Sequence, residues 1–233
     1  MDQTILPLRV FIGFDPAETV AFNVLAHSIL TRASRPVSIT PVALKQLGGL
    51  MTRARNPLQS TEFSFSRFLT PALSGYHGWS LFIDCDMLVL DDIAKLFALA
   101  DDRFAVQVIK HQHHPVEDVK FLGAVQTKYE KKNWSSVMLF NNARCTRLTP
   151  DYVNTASGLE LHQFKWLEDD GLIGELPHRW GHLVDYDPEV PADQISLLHY
   201  TIGGPYFTEY RTCGYADLWF AEREAMLACS QIA

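Results

Sequence analysis

Cysteine is scarce in this chain, with four residues in 233, at positions 85, 145, 213 and 229. Their spacing matches neither a zinc knuckle nor a CxxC pair, so no cysteine metal centre is expected. Cys85 lies in an apolar run, where a buried free thiol in a reducing, cytoplasmic setting is the simplest reading. Long apolar runs are lacking too. No window reaches about 18 uninterrupted apolar residues, which excludes a spanning helix. The opening MDQTILPLRVFIGFD has no basic segment leading into a long apolar stretch and a small-residue cleavage site, so it does not read as a signal peptide. No strong amphipathic stretch indicates a membrane surface, although peripheral contact at the cytoplasmic face stays open. Positive charge is in deficit, with 20 Lys and Arg against 27 Asp and Glu and a net charge of -7. That excludes the global basic footprint of a duplex nucleic-acid binder. Internal repeats and convincing linkers are absent, so a single domain over residues 1–233 is expected.

What is present is a core. The chain is 47% hydrophobic and 12% aromatic, with 14 Phe. This composition excludes disorder and suffices for one sizeable core. LRVFIGF at 8–14 reads as a strand buried on both faces. Asp15 and Pro16 then suit a helix cap and first helical position, and 17–32 carries helical spacing. VSITPVAL at 37–44 reads as a strand whose internal proline points to a sheet edge or a strand end. The chain thus opens strand, helix, strand, the pattern of a parallel α/β layer. Residues 48–65 read as a loop, 64–75 as a short helix, 104–109 and 135–142 as strands, 150–172 as helical, and 215–228 as a terminal helix. WSLFIDCDMLVLDDI at 79–93 is the strongest local pattern: an apolar strand running into carboxylates, followed by a helix capped by Asp91 or Asp92. Open α/β sheets bind ligands at such carboxyl ends.

Several groups could carry chemistry. Asp84 and Asp86, two apart in a strand, point to one face and can converge on a hard cation. At a strand end they need not be buried, which lowers the cost of their charge. Mn2+ or Mg2+ suits carboxylate, water and phosphate oxygens; a solvated strand end with a helix cap is the plain alternative. In LLHYTIGGPYF, His199 is a structural histidine or a nitrogen ligand, and Gly203 and Gly204 make a tight turn or let the backbone approach a phosphate. Asn141 and Asn142 can orient sugar hydroxyls or form a turn. Asp169 and Asp170, at a helix end where the dipole does not favour acids, are candidates on the sugar side. Arg67, among apolar residues, offers a planar fork to a diphosphate or forms an internal salt bridge. The histidines at 111–114 read as a surface loop, and the segment around Lys120 is uninformative.

Taken in order, RVFIGFD, STEFSFSRFLTPAL, LFIDCDMLVLDDI, KNWSSVMLFNN and LHYTIGGPYF resemble glycosyltransferase family eight and its bacterial relatives, from residue 9 to about 207. The resemblance implies a GT-A fold, an α/β architecture with a mostly parallel central sheet flanked by helices. It implies a metal-dependent glycosyltransferase that moves a hexose from a nucleoside diphosphate sugar, UDP being the family expectation, to an acceptor hydroxyl on a carbohydrate or glycoconjugate, with retention. Asp84, Asp86 and His199 would hold Mn2+. Ile12, Gly13 and Asp15 would line the nucleotide pocket, Arg67 would brace the donor, and Gly203 and Gly204 would approach the phosphates. Asp84, Cys85 and Lys132 complete the donor-binding set. Catalytic candidates are Asn141, Asn142, Asp169 and Asp170.

The chain departs from the family in two places. TIGGPYFTEY contains no lysine where a phosphate-contacting one is expected; Lys131, Lys132 and Arg211 are the candidates to replace it. The family's Asp-Gln-Asp pattern is also missing. Three alternatives stand beside the transferase: a metal-dependent nucleotidyltransferase, a metal-dependent phosphatase, and a nucleotide-sugar-binding protein of the same fold with little or no turnover.

Overall fold

The computed structural model describes residues 6–55, 59–111 and 131–228. Cys229, residues 112–114 of the histidine-rich loop and Lys120 lie outside them.

The first strand, β1 (Leu8–Gly13), runs parallel to β2 (Val37–Val42) across helix α1 (Thr19–Arg32). Asp15 caps as expected, its Oδ1 accepting from Ala17 N–H at 3.0 Å, but the turn it starts is 3-10 (Pro16–Glu18) before α1 begins. β2 is an edge strand. Pro41 is therefore tolerated inside it. The stretch after the loop is a 3-10 turn, Ser66–Leu69, and a single α-turn, α2 (Thr70–Leu73).

β3 (Trp79–Ile83) pairs parallel to β1, with Ile12 opposite Ile83. It stops at Ile83. The apolar run after Asp-Cys-Asp is a separate strand, β4 (Met87–Val89), in another sheet, followed by α3 (Ile93–Phe97) with Asp92 as its cap. The remaining strands are β5 (Val106–Val108), β6 (Val137–Asn141), β7 (Ile173–Glu175), β8 (His182–Leu183) and β9 (Leu197–His199). The helical segment after residue 150 is two short pieces, α4 (Pro150–Thr155) and α5 (Gly158–His162), the second opened by a Ser157–Glu160 capping box.

The large sheet has the order β2-β1-β3-β6-β5-β7. Only β6 runs against the others. The small sheet, β4-β9-β8, joins residues more than 100 positions apart. Alternation divides its strands between two cores. Met87, Val89 and Leu197 enter the main core, whereas Leu88 and Leu198 enter a smaller one with Val184, Tyr200 and Trp219. α1 feeds both, through Leu25 and Ile29 on one side and Val24 on the other. The terminal helix α6 (Ala216–Leu227) brings Trp219 and packs on α1, where Glu222 pairs with His27 at 2.5 Å and with Arg32 at 2.6 Å. Among the described residues, no helix is long and apolar enough to cross a membrane.

Candidate metal and nucleotide site

Where β3 ends, Asp84 N–H donates to the Ser136 carbonyl at 3.1 Å, which fastens the acidic stretch to the entrance of β6. Two residues later it crosses to the small sheet: Tyr200 N–H donates to the Asp86 carbonyl at 2.9 Å, and Met87 pairs with His199. This register brings His199 to the carboxylates. Ligand atoms of Asp84, Asp86 and His199 all lie within 4.8 Å of one another. His199 Nε2 is 3.5 Å from Asp86 Oδ1, and its Nδ1, buried, has no hydrogen-bond partner among the described residues. A buried imidazole grouped with two carboxylates, with one ring nitrogen left without a partner, fits a divalent cation that accepts mixed oxygen and nitrogen ligands.

The carboxylates are less solvated than a strand end suggests. Burial is the main reason that the Asp84 carboxyl is pushed up to about 6, with Arg67 opposing and Asp86 adding to the shift. Arg67 is itself 6% exposed. Its Nη1 lies 2.8 Å from Asp84 Oδ1 and donates to the Ser135 carbonyl at 2.9 Å, while Phe63 and Phe82 rings flank the guanidinium. Of the two readings of Arg67, the internal salt bridge is the one formed, and it is formed with a candidate metal ligand.

Ile12 and Gly13 stand beside Ile83 at the carboxyl ends of the parallel strands. A Cβ on Gly13 would come within 2.4 Å of the Phe63 ring, so the glycine admits that aromatic. Asp15 Oδ2 accepts from Glu62 N–H at 3.0 Å, tying the loop after residue 59 to β1. Gly203 and Gly204 have a similar explanation: a Cβ would strike Tyr210 at 2.3 Å or Tyr206 at 2.1 Å. The space beside both glycines is filled by aromatic rings. Lys132 is buried in the turn before β6; Lys131 Nζ is held by the Gln163 carbonyl at 3.0 Å and Asp170 at 2.6 Å.

Two of the catalytic candidates are displaced. β6 is antiparallel to β3, so Val137 lies opposite Ile83 and Asn141 opposite Trp79. Asn141 is thus about 13 Å along the strand from the end that carries the acidic stretch. Asn142, fully buried, accepts from Ser80 Oγ at 2.8 Å and donates to the His77 carbonyl at 3.1 Å, which makes it a turn residue at the far end of the sheet. Asp169 caps a 3-10 turn by accepting from Gly171 N–H at 2.9 Å, and Asp170 is bound by Lys131, which lowers its pKa. Neither belongs to the Asp84–Asp86–His199 group.

The structure adds Glu18 and Tyr206, joined to Cys85 in one connected unit. Tyr206 Oη donates to Glu18 Oε1 at 2.8 Å, and Cys85 Sγ donates to Oε2 at 3.3 Å. Burial, then the Asp86 charge, pushes the Glu18 carboxyl up to about 7. Burial also keeps the Cys85 thiol protonated, with Glu18 and Asp86 reinforcing it. In sequence, Glu18 is an acid in the first turn of a helix, where the dipole explains it without a site.

No family model matches the chain. Protein CDI of Arabidopsis thaliana is 48% identical over 225 residues, covering 94% of this chain and 86% of that protein. Among solved structures, the apo form of the bifunctional glycosyltransferase WbbM superposes with a TM-score of 0.63 at 14% identity, over 93% of this chain. The chain spans 49% of the WbbM chain. The galactosyltransferase LgtC, in complex with donor and acceptor sugar analogues, gives a TM-score of 0.58 at 12% identity, covering 94% of this chain and 96% of LgtC. These structural likenesses establish the GT-A fold.

Proposed function

The chain belongs to the family of Arabidopsis thaliana Protein CDI, and from that membership and the GT-A fold we propose that it is a metal-dependent glycosyltransferase using a nucleoside diphosphate sugar. The observation that carries the reading is the convergence of Asp84, Asp86 and His199 within 4.8 Å at the carboxyl end of β3. The solved structures of this fold described above are glycosyltransferases, one of them bound to donor and acceptor sugar analogues. Membership of glycosyltransferase family eight, a UDP-hexose donor, Mn2+ as the metal, a carbohydrate or glycoconjugate acceptor and retention of configuration belong to the same proposal. So does a cytoplasmic setting, supported by the free thiols of Cys85, Cys145 and Cys213.

Asp84, Asp86 and His199 would hold the divalent cation, which when bound neutralises charge on the leaving diphosphate. Arg67 fixes the Asp84 carboxylate by a charge-assisted contact, so the ligand does not reorganise as charge develops. β1 supplies the floor of the nucleotide pocket through Ile12 and Gly13. Asp15, by holding the Glu62 amide, sets the wall beside it. Among the described residues no side chain is assigned as the base, and the leaving diphosphate would take the acceptor proton.

A panel of nucleotide sugars, with and without Mn2+, read by release of free nucleoside diphosphate, tests this. We expect metal-dependent release from one donor, reduced roughly 100-fold or more in Asp86→Ala, the scale of several kcal/mol of lost electrostatic stabilisation. Full turnover in that variant sinks the metal assignment. Tight nucleotide binding with no sugar release in the wild type would instead favour the binding-protein alternative.

A further inference from the structure

Glu18 has no task in that reading. It is 8% exposed, and its hydrogen-bond partners are the neutral donors Tyr206 and Cys85. Among the described residues no Lys, Arg or His forms an ion pair with it. A carboxylate buried against neutral donors is a liability for stability, which calls for another reason for its presence. Its two partners supply one. Cys85 stands between Asp84 and Asp86, and Tyr206 stands on the segment that follows His199. The Tyr206 ring is wedged on Gly204 and packs 5.4 Å from the Trp219 ring of α6. One carboxylate therefore ties both ligand-bearing segments to the first βα turn.

We propose that Glu18 is a positioning residue for the metal group, clamping Cys85 and Tyr206 so that Asp84, Asp86 and His199 keep the geometry a divalent cation needs. The inference rests on the metal-dependent reading above. Outer-shell partners that orient ligands typically cost roughly 10- to 100-fold in metal affinity when lost.

The test uses the full chain and Mn2+ alone as the probe, with affinity measured calorimetrically and the melting temperature measured in parallel. Glu18→Gln keeps the shape but replaces one acceptor oxygen by an amide nitrogen. We expect its Mn2+ affinity to fall about tenfold while its melting temperature does not fall. Tyr206→Phe removes one of the two clamps and leaves the ring on Gly204; a smaller loss of Mn2+ affinity is expected. A Glu18→Gln protein that melts lower but binds Mn2+ as the wild type does would show a merely structural role and overturn the proposal. If Glu18→Gln does not fold, unchanged affinity in folded Tyr206→Phe overturns it. Wild-type protein that binds no Mn2+ removes the metal reading and this one together, whereas tight wild-type binding with unchanged variants removes this one alone.

Discussion

Asp84 is asked to do two things, and single substitutions separate them. It is a candidate ligand and also the counter-charge of a buried guanidinium. Asp84→Ala leaves Arg67 buried and unpaired, which is expected to destabilise the protein by about 3–5 kcal/mol, read as a lower urea midpoint. Arg67 keeps its Asp84 partner when Asp86 is changed, so Asp86→Ala should lose metal affinity with less effect on that midpoint. The pH dependence follows from two raised carboxyls, Glu18 from 4.5 to about 7 and Asp84 from 3.8 to about 6. Both bind protons more tightly folded than unfolded, so their penalty is absent below the unfolded values and complete above the folded ones. The metal-free protein should therefore lose stability from about pH 4 to about pH 7, on the order of 3 kcal/mol for Glu18. Asp91 and Asp92 are shifted down, so their contributions change only below this window. A bound divalent cation should flatten the slope, and so should Glu18→Gln; a melting temperature independent of pH in metal-free wild type would contradict it. At this scale Asp84, Asp86 and His199 were legible in the sequence because their residue types and flanking patterns carry the chemistry. Glu18 was not, since its burial depends on Tyr206, 188 positions away.

Local patterning located the long elements and misjudged how some of them are placed. β1, α1 and the terminal helix have enough turns or alternations to show a period. β7, β8 and β9 have two or three residues each and show none. The misplacement of Asn141 and Asn142 has the same origin: nothing inside residues 137–141 states that β6 runs against its neighbours, and that reversal carries its far end away from the site. The glycines at element ends report contacts rather than flexibility. Gly13→Ala drives a methyl into the Phe63 ring and should cost about 1–3 kcal/mol by overpacking, seen as a lower melting temperature. Phe63 also stacks beside Arg67, so the variant should in addition weaken Mn2+ binding. Unchanged melting would mean that the ring moves aside freely.

Across the molecule, the two cores meet at α1, and α6 is pinned to that helix by a buried carboxylate. Glu222 serves both His27 and Arg32. Glu222→Ala should cost about 3 kcal/mol, measured by equilibrium unfolding. Trp219, one turn earlier, packs on Tyr206, so loosening α6 should also raise the nucleoside diphosphate concentration needed for half-saturation. The GT-A fold could be anticipated from the order of the motifs, but not the division into two cores, which depends on the partner that β4 finds more than 100 residues later. That division has a consequence for how the site comes into being. Met87, Leu88 and Val89 are sorted between the cores by alternation, as are Leu197 and Leu198 opposite them. A slip of one residue would turn leucines toward the wrong interior and, in the same step, carry His199 out of reach of Asp86. Sorting the leucines therefore proofreads the ligand set: a chain that has packed both interiors has already assembled its three ligands, and a misassembled site announces itself as a misfolded protein.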